Sequence, residues 1–349
     1  MIQRIMTTGC QHLRDEVLGR LSHSCKMVWD FCSISCKSCE FCASALMKTL
    51  VLLIWLTPGA ADLLAAPIAD SDEAIRQTWD GWNAPVKPFQ IIGNVYYVGV
   101  AGVSSFLIAT PKGHILIDTG FEMTVPRITN NLARLGFRLQ DIKILLSSHA
   151  HLDHTGGHAL MKALTGAKIY ISEADAILLA NGGMADFTTY STNMIAYPPA
   201  KADRLLHDSD EVELGGSRLV CHLTPGHTKG CTTWTMAVKD GGQTRTVLFF
   251  GSTTVLDGVP LLNNPKYPTI AQDYASTFKK LKGLPCDVFL APHGSFFGLS
   301  EKTRRLGNGS NPFIDPKGYR EFIRQSEQAF EERLQLERTR ERERGALGQ

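Results

Sequence analysis

Ser148-His149-Ala150-His151-Leu152-Asp153-His154 sets three imidazoles and a carboxylate within six consecutive positions. Imidazole and carboxylate are ligand types suited to zinc, and a catalytic zinc takes three protein ligands while leaving a position for water or substrate. In extended backbone, residues two apart project to the same side, so His149 and His151 can share one metal. Asp153 and His154 come one turn later, where Thr155-Gly156-Gly157 leads into a helical pattern through Leu160, Met161 and Leu164. They can face a second metal, which makes the cluster half of a two-metal site.

The remaining ligands must come from other loops. Val220-Cys221-His222-Leu223-Thr224-Pro225-Gly226-His227-Thr228 ends a strand in a Pro-Gly turn, a sharp loop at a sheet edge. Asp287-Val288-Phe289-Leu290-Ala291-Pro292-His293-Gly294 repeats the plan of buried strand, proline and histidine. His227 and His293 are therefore the further candidates. His222 falls within the strand, His158 along a helix, and His114 and His207 near turns; all four read as structural.

The elements that must position these side chains follow from periodicity. Strands are expected at Phe89 to Ile92, Val95 to Val98, Ser105 to Ala109 and Ile115 to Asp118, with short Gly, Asn and Pro-Lys-Gly turns between them. A helical pattern spans Val125 to Leu135, and strand Ile142 to Leu146 leads into the His cluster. Further strands are expected near Val212 to Leu214, Ser217 to Leu223, Thr232 to Val238, Thr246 to Phe250 and Val288 to Leu290, with a helix from Ile270 to Leu281. Strands interleaved with helices indicate a layered α/β architecture.

His149-Ala150-His151-Leu152-Asp153-His154, with His227 in Pro-Gly-His-Thr and His293 after Ala-Pro, resembles the metallo-β-lactamase superfamily from about Trp79 to about Phe313. Asp118-Thr119-Gly120 also fits, as the family carries Asp-Thr-Gly after a strand, and Asp118 is expected to brace the metal loop rather than bind metal. The resemblance implies a four-layer αββα sandwich with the metal site at one edge. Many hydrolases of the superfamily, including those acting on thioesters and lactones, have a metal-bridging aspartate after the strand that precedes the last histidine. Here Val247-Leu248-Phe249-Phe250 runs into Gly251-Ser252-Thr253-Thr254, with neither that carboxylate nor the cysteine of the first two β-lactamase subclasses. The pattern is similar to the third subclass of class B β-lactamases.

That resemblance implies two Zn2+ per chain, one held by His149, His151 and His227, the other by Asp153, His154 and His293. It implies hydrolysis of the β-lactam amide of penicillins, cephalosporins and carbapenems by a metal-bound hydroxide that Asp153 orients, conferring antibiotic resistance. Ser252 and Thr254 align with hydroxyls that meet the substrate carboxylate, and Thr254 is equally readable as a loop cap. Two other functions remain open on the same ligands: a dinuclear hydrolase of lactones, thioesters or phosphodiesters, and a zinc-dependent binding module without turnover. The absent bridging carboxylate counts against the first, and the full ligand set against the second.

The 349 residues, 44% hydrophobic and 20% charged, suit one large core, and a net charge of +2 indicates no nucleic-acid partner. A small-molecule substrate and a monomer are expected. Met47-Lys48-Thr49, the apolar Leu50 to Leu56 and the small Gly59-Ala60-Ala61 look like a secretory signal over 47–66, cleaved after Ala61 or Ala66, with export to the periplasm or medium and no stable membrane anchor. Residues 1–46, which hold Cys36-Lys37-Ser38-Cys39-Glu40-Phe41-Cys42, read as an upstream extension before a natural start at Met47. A domain over 67–315 and a C-terminal helix with charged tail over 316–349 complete the division. Tyr319 to Arg344 is expected to be helical with Phe322, Ala329, Phe330 and Leu334 inward and Glu337 to Arg344 solvated. Of Cys221, Cys231 and Cys286, only Cys221 with Cys231 is a plausible disulfide.

Overall fold

The computed structural model describes residues 72–188 and 196–347. The signal-like segment 47–66 and the cysteine-rich residues 1–46 lie outside the described residues. The aliphatic runs of the sequence assemble into two sheets. The first follows chain order: β1 (Phe89–Ile92), β2 (Val95–Tyr97), β3 (Phe106–Thr110), β4 (Gly113–Ile117), β5 (Ile142–Leu146), β6 (Lys168–Ser172) and β7 (Arg204–Leu206). Its early strands are antiparallel, whereas β4 to β7 run parallel. The second contains β8 (Glu211–Leu214), β9 (Ser217–Leu223), β10 (Thr232–Asp240), β11 (Gln243–Phe249) and β12 (Val288–Leu290), in the order β12-β11-β10-β9-β8. Only β11 and β12 are parallel in it.

Strand alternation decides the layers. Phe106, Ile108, Ile115, Ile117, Ile144 and Leu146 share a core with Trp234, Met236 and Phe249 of the second sheet. Leu107, Leu116 and Leu145 point the other way, onto Ile128 and Leu132 of α2 (Val125–Arg134) and Met161 of α4 (His158–Thr165). Burial on both faces is why β4 and β5 are unbroken apolar runs rather than alternating ones. Each fully buried aliphatic side chain contributes about 1.5–3 kcal/mol. On the second sheet lie α6 (Ile270–Gly283) and α8 (Pro316–Leu347), with Phe289 of β12 5.3 Å from Tyr319 and Phe278 5.6 Å from Phe330. Helices, sheet, sheet and helices form the expected four-layer sandwich.

Several expectations need correction. β6, β7, α5 (Glu173–Ala180), α1 (Asp72–Trp82) and α7 (Leu299–Arg305) escape a reading by periodicity. β7 is only three residues long, and Glu173-Ala-Asp-Ala-Ile-Leu-Leu-Ala carries apolar residues nearly all round its axis. In α4, Leu164 is 47% exposed, so the buried stripe there rests on His158 and Met161. Cys221 and Cys231 are both free thiols. Cys221 stands opposite Trp234 in the β9–β10 ladder, while the Cys231 sulfur accepts the Ser252 N–H at 3.1 Å. The C-terminal helix buries Tyr319, Ile323 and Phe330, with Phe322 and Leu334 partly buried beside them. Its charged end is solvated as expected except at Glu337 and Glu341, which bond to the loop between β11 and α6. Among the described residues, no helix is long and apolar enough to cross a membrane.

Candidate metal centre

The chemically active residues sit at the carboxyl ends of strands, the edge where α/β sheets place ligands. Asp118 follows β4, His149 to His154 follow β5, His227 follows β9, Ser252 and Thr254 follow β11, and His293 follows β12. Asp153 and His154 share the single turn of α3 (Leu152–Thr155), with His151 as its extended N-cap. The His227 turn depends on Gly226, whose φ of +137° and packing against the Tyr274 ring leave no room for a Cβ.

All six predicted ligands come together. Donor atoms of His149, His151 and His227 lie within 4.8 Å of one another, and so do those of His149, Asp153 and His154. The His154 Nε2 is 3.1 Å and the His293 Nε2 3.4 Å from Asp153 Oδ2, and the His154 and His293 rings are 4.9 Å apart. His149 thus stands between the two groups, its ring 4.5 Å from that of His227 and 4.2 Å from that of His154.

The ring nitrogens that face away are held. His227 Nδ1 donates to the Thr254 carbonyl at 2.7 Å and His293 Nδ1 to the Gly102 carbonyl at 3.1 Å. A carbonyl only accepts, so Nδ1 carries the proton and Nε2 is left to coordinate. His151 Nε2 faces Asp186 Oδ2 at 3.0 Å, which leaves its Nδ1. Asp118 adopts a φ of 57°, a strained conformation for a non-glycine residue at a functional edge. From there Oδ1 accepts the Ser148 N–H and Oδ2 the Ser148 hydroxyl, both at 2.7 Å, and Oδ2 lies 3.6 Å from His154 Nδ1. Asp118 braces the metal loop without joining either ligand cluster.

Electrostatics favour the metal-binding form at three of the imidazoles. Burial and the neighbouring imidazoles hold His149 far below the ordinary histidine range. Burial and His151 lower His227 to about 3, and burial and His154 lower His293 to about 4. These rings are neutral, the form that binds metal. Burial also opposes a charge on His154, but Asp153 and Asp118 outweigh it and push its pKa up to about 10. Burial likewise opposes ionisation of Asp153, yet the positive charge of His154 beside it holds it well below the usual carboxylate range. Both ring nitrogens of His154 are buried with no well-formed hydrogen bond, facing only Asp153 Oδ2 and Asp118 Oδ2. Such orphaned polar atoms are costly unless something else engages them, and a divalent cation fits a set of imidazoles and one carboxylate.

Above the ligands opens a cavity of about 820 Å³ whose walls include Trp79, Trp82, Phe121, Leu256 and Phe296, with Ser252 and Thr254 on its rim. The Trp82 ring lies 5.1 Å from that of His293. The Ser252 hydroxyl oxygen accepts the Thr254 N–H at 3.4 Å, so its own hydrogen is free to be donated. The four other histidines read as structural lie outside both clusters. His158 bridges the Thr119 and Ser147 hydroxyls at 2.8 and 3.0 Å, and His222 meets the Thr235 hydroxyl at 2.8 Å. His114 accepts the Thr110 N–H, and His207 is exposed.

Sequence reasoning missed Asp175, Asp186 and the aromatic wall from α1. Asp175, 1% exposed, accepts the Ala150 N–H, the Thr228 hydroxyl and the Gly230 N–H at 2.8, 2.9 and 2.8 Å, tying the two metal loops together. A lone aspartate in an apolar helix carries no spacing signal that could have found it.

Residues 98–293 match the model of the metallo-beta-lactamase superfamily. The chain is 43% identical to the native FEZ-1 metallo-beta-lactamase from Legionella gormanii, at a TM-score of 0.72, over 73% of this chain and 98% of that one. With LRA-12, a class B3 di-zinc metallo-beta-lactamase from an Alaskan soil metagenome, it shares 38% identity over 73% of this chain and 96% of the other, at a TM-score of 0.69. It is also 30% identical over 212 residues to the hydroxyacylglutathione hydrolase GloC of Haemophilus influenzae, 59% of this chain and 89% of the relative.

Proposed function

The chain belongs to the metallo-beta-lactamase superfamily, and from that premise we propose that it hydrolyses the amide of β-lactam rings in penicillins, cephalosporins and carbapenems, and so confers resistance. The observation that carries this reading is the rim after β11. Six ligand side chains converge beneath one cavity, and the strand beside them delivers the hydroxyls of Ser252 and Thr254 where a further carboxylate would serve other hydrolases of the fold. The likeness to FEZ-1 and LRA-12, both metallo-beta-lactamases, supports it.

The orphaned nitrogens and the donor set suit two zinc ions: His149, His151 and His227 would hold one, and Asp153, His154 and His293 the other. Bound zinc would supply Lewis acidity, which polarises a carbonyl and brings the pKa of water near neutrality. Asp153, ionised beside His154 and His293, orients the attacking water and can hold its proton. The Ser252 hydroxyl donates to the substrate carboxylate, joined by that of Thr254. Trp79, Trp82 and Phe121 keep bulk water from the bound ring.

Nitrocefin hydrolysis that disappears with a chelator, returns with zinc and ignores clavulanate is the expected result. Activity that persists in a metal-stripped sample overturns the reading. The likeness to GloC favours one rival, a thioester hydrolase, and turnover of an acylglutathione thioester without nitrocefin would establish it instead. Export to the periplasm or medium as a monomer completes the proposal, checked by mass spectrometry and gel filtration of the secreted form.

A further inference from the structure

Between β11 and α6 the chain forms the rim over the metal ligands. At its start, Thr254 and Leu256 line the cavity and the Thr254 carbonyl holds His227. At its end, the Tyr267 ring packs 5.0 Å from that of Phe187, next in sequence to Asp186, the carboxylate that faces His151. At its middle, the N–H groups of Leu261 and Leu262 both donate to Glu337 Oε2, at 2.8 and 3.1 Å. Arg333 holds the other oxygen of Glu337 at 3.1 Å, and one turn on, the Asn263 amide donates to Glu341. The same helix supports the start of the loop as well. Phe330 packs 5.3 Å from Tyr274, whose hydroxyl donates to the Thr254 carbonyl at 2.8 Å.

A carboxylate in a charge-rich helix end is normally solvated, but the Glu337 side chain is only 13% exposed, and two consecutive loop amides converge on one of its oxygens. Hydrogen bonds to an ionised acceptor are about twice as strong as neutral ones, and these two fix the backbone at the middle of the loop, where the side chains of Val259 and Leu261 enter the core. We propose that Glu337 is a positioning residue: through it the C-terminal helix sets the rim loop, and with the loop the cavity wall at Leu256 and the hold on His227. The effect on substrate rests on the β-lactamase reading; the anchoring of the loop does not.

The test compares full-length, zinc-loaded wild type with Glu337→Ala and Glu337→Gln. In Glu337→Ala, amide exchange at Leu261 and Leu262 accelerates about ten-fold or more, while the amides of β9 and β10 keep their rates. KM for nitrocefin rises about three- to ten-fold with kcat within about two-fold, and a chelator strips zinc faster than from wild type. Glu337→Gln retains an amide oxygen that can accept both bonds, and it restores most of each change. Unaltered exchange at the two amides overturns the anchor. Faster exchange with wild-type KM and wild-type zinc release overturns its coupling to the site, and equal acceleration in β9 and β10 reduces Glu337 to general stability. Should wild type turn over no nitrocefin, the β-lactam reading fails alone, and exchange with zinc release still decide the role of Glu337.

Discussion

The ligands that follow β5 and those that follow β9 and β12 meet under the same cavity, but they are held by different chemistry. The β5 group is braced by side-chain carboxylates: Asp118 on Ser148, Asp175 on the Ala150 N–H, and Asp186 opposite His151. The imidazoles of the other group are braced by backbone carbonyls, Thr254 for His227 and Gly102 for His293, and Asp175 reaches only the loop beyond His227, at Thr228 and Gly230. A side-chain brace can be deleted by one substitution. A carbonyl brace does not depend on the side chain at its own position and fails only when the backbone moves, as it would at Gly102, where any Cβ would meet Trp82.

The comparison can be broken or sharpened by substitution, beginning with the largest effect. Asp153→Ala removes the only carboxylate among the six ligands and is expected to lower kcat/KM by about 10²- to 10⁴-fold, read in steady-state nitrocefin assays; near-wild-type turnover would remove Asp153 from the chemistry. Asp175→Ala strands two buried N–H groups and a hydroxyl drawn from both loops, and should cost on the order of 4 kcal/mol in denaturant unfolding. A loss below about 1 kcal/mol would mean that the loops are tied elsewhere. Asp118→Asn keeps the shape but withdraws the charge beside Ser148 and His154. Zinc affinity of the Asp153, His154 and His293 group should fall about 10- to 100-fold by chelator competition, and an equal fall in the His227 group would contradict the division. The smallest effect is expected at Thr254→Ala, where the carbonyl remains. Zinc affinity should stay within about two-fold and stability within about 0.5 kcal/mol of wild type. A large loss of zinc there would show that the hydroxyl, not the carbonyl, holds His227.

Legibility followed the same division. His149 to His154 could be read because adjacent residues on one loop keep a spacing that survives folding; β3, β4, β5 and β12 were visible because buried strands need continuous apolar runs, and β9 and β10 through their β-branched and alternating residues. α5 and β7 were not, since an all-round apolar octamer and a three-residue strand carry no period. Glu337 was misread for a related reason: an acidic residue among arginines and glutamates looks solvated until a loop arrives to use it.

From the amino-acid order alone come the ligand types, the strand-ending turns that carry them and the absence of a carboxylate at Ser252. Those are properties of local spacing and side-chain chemistry, which no folding can alter. Only the tertiary structure decided that Asp175 joins two loops, that Asp186 faces His151 and that a C-terminal glutamate anchors the cavity rim. Each of these depends on a contact between segments distant in sequence, and such contacts exist only after the two sheets have packed and the last helix has closed over them.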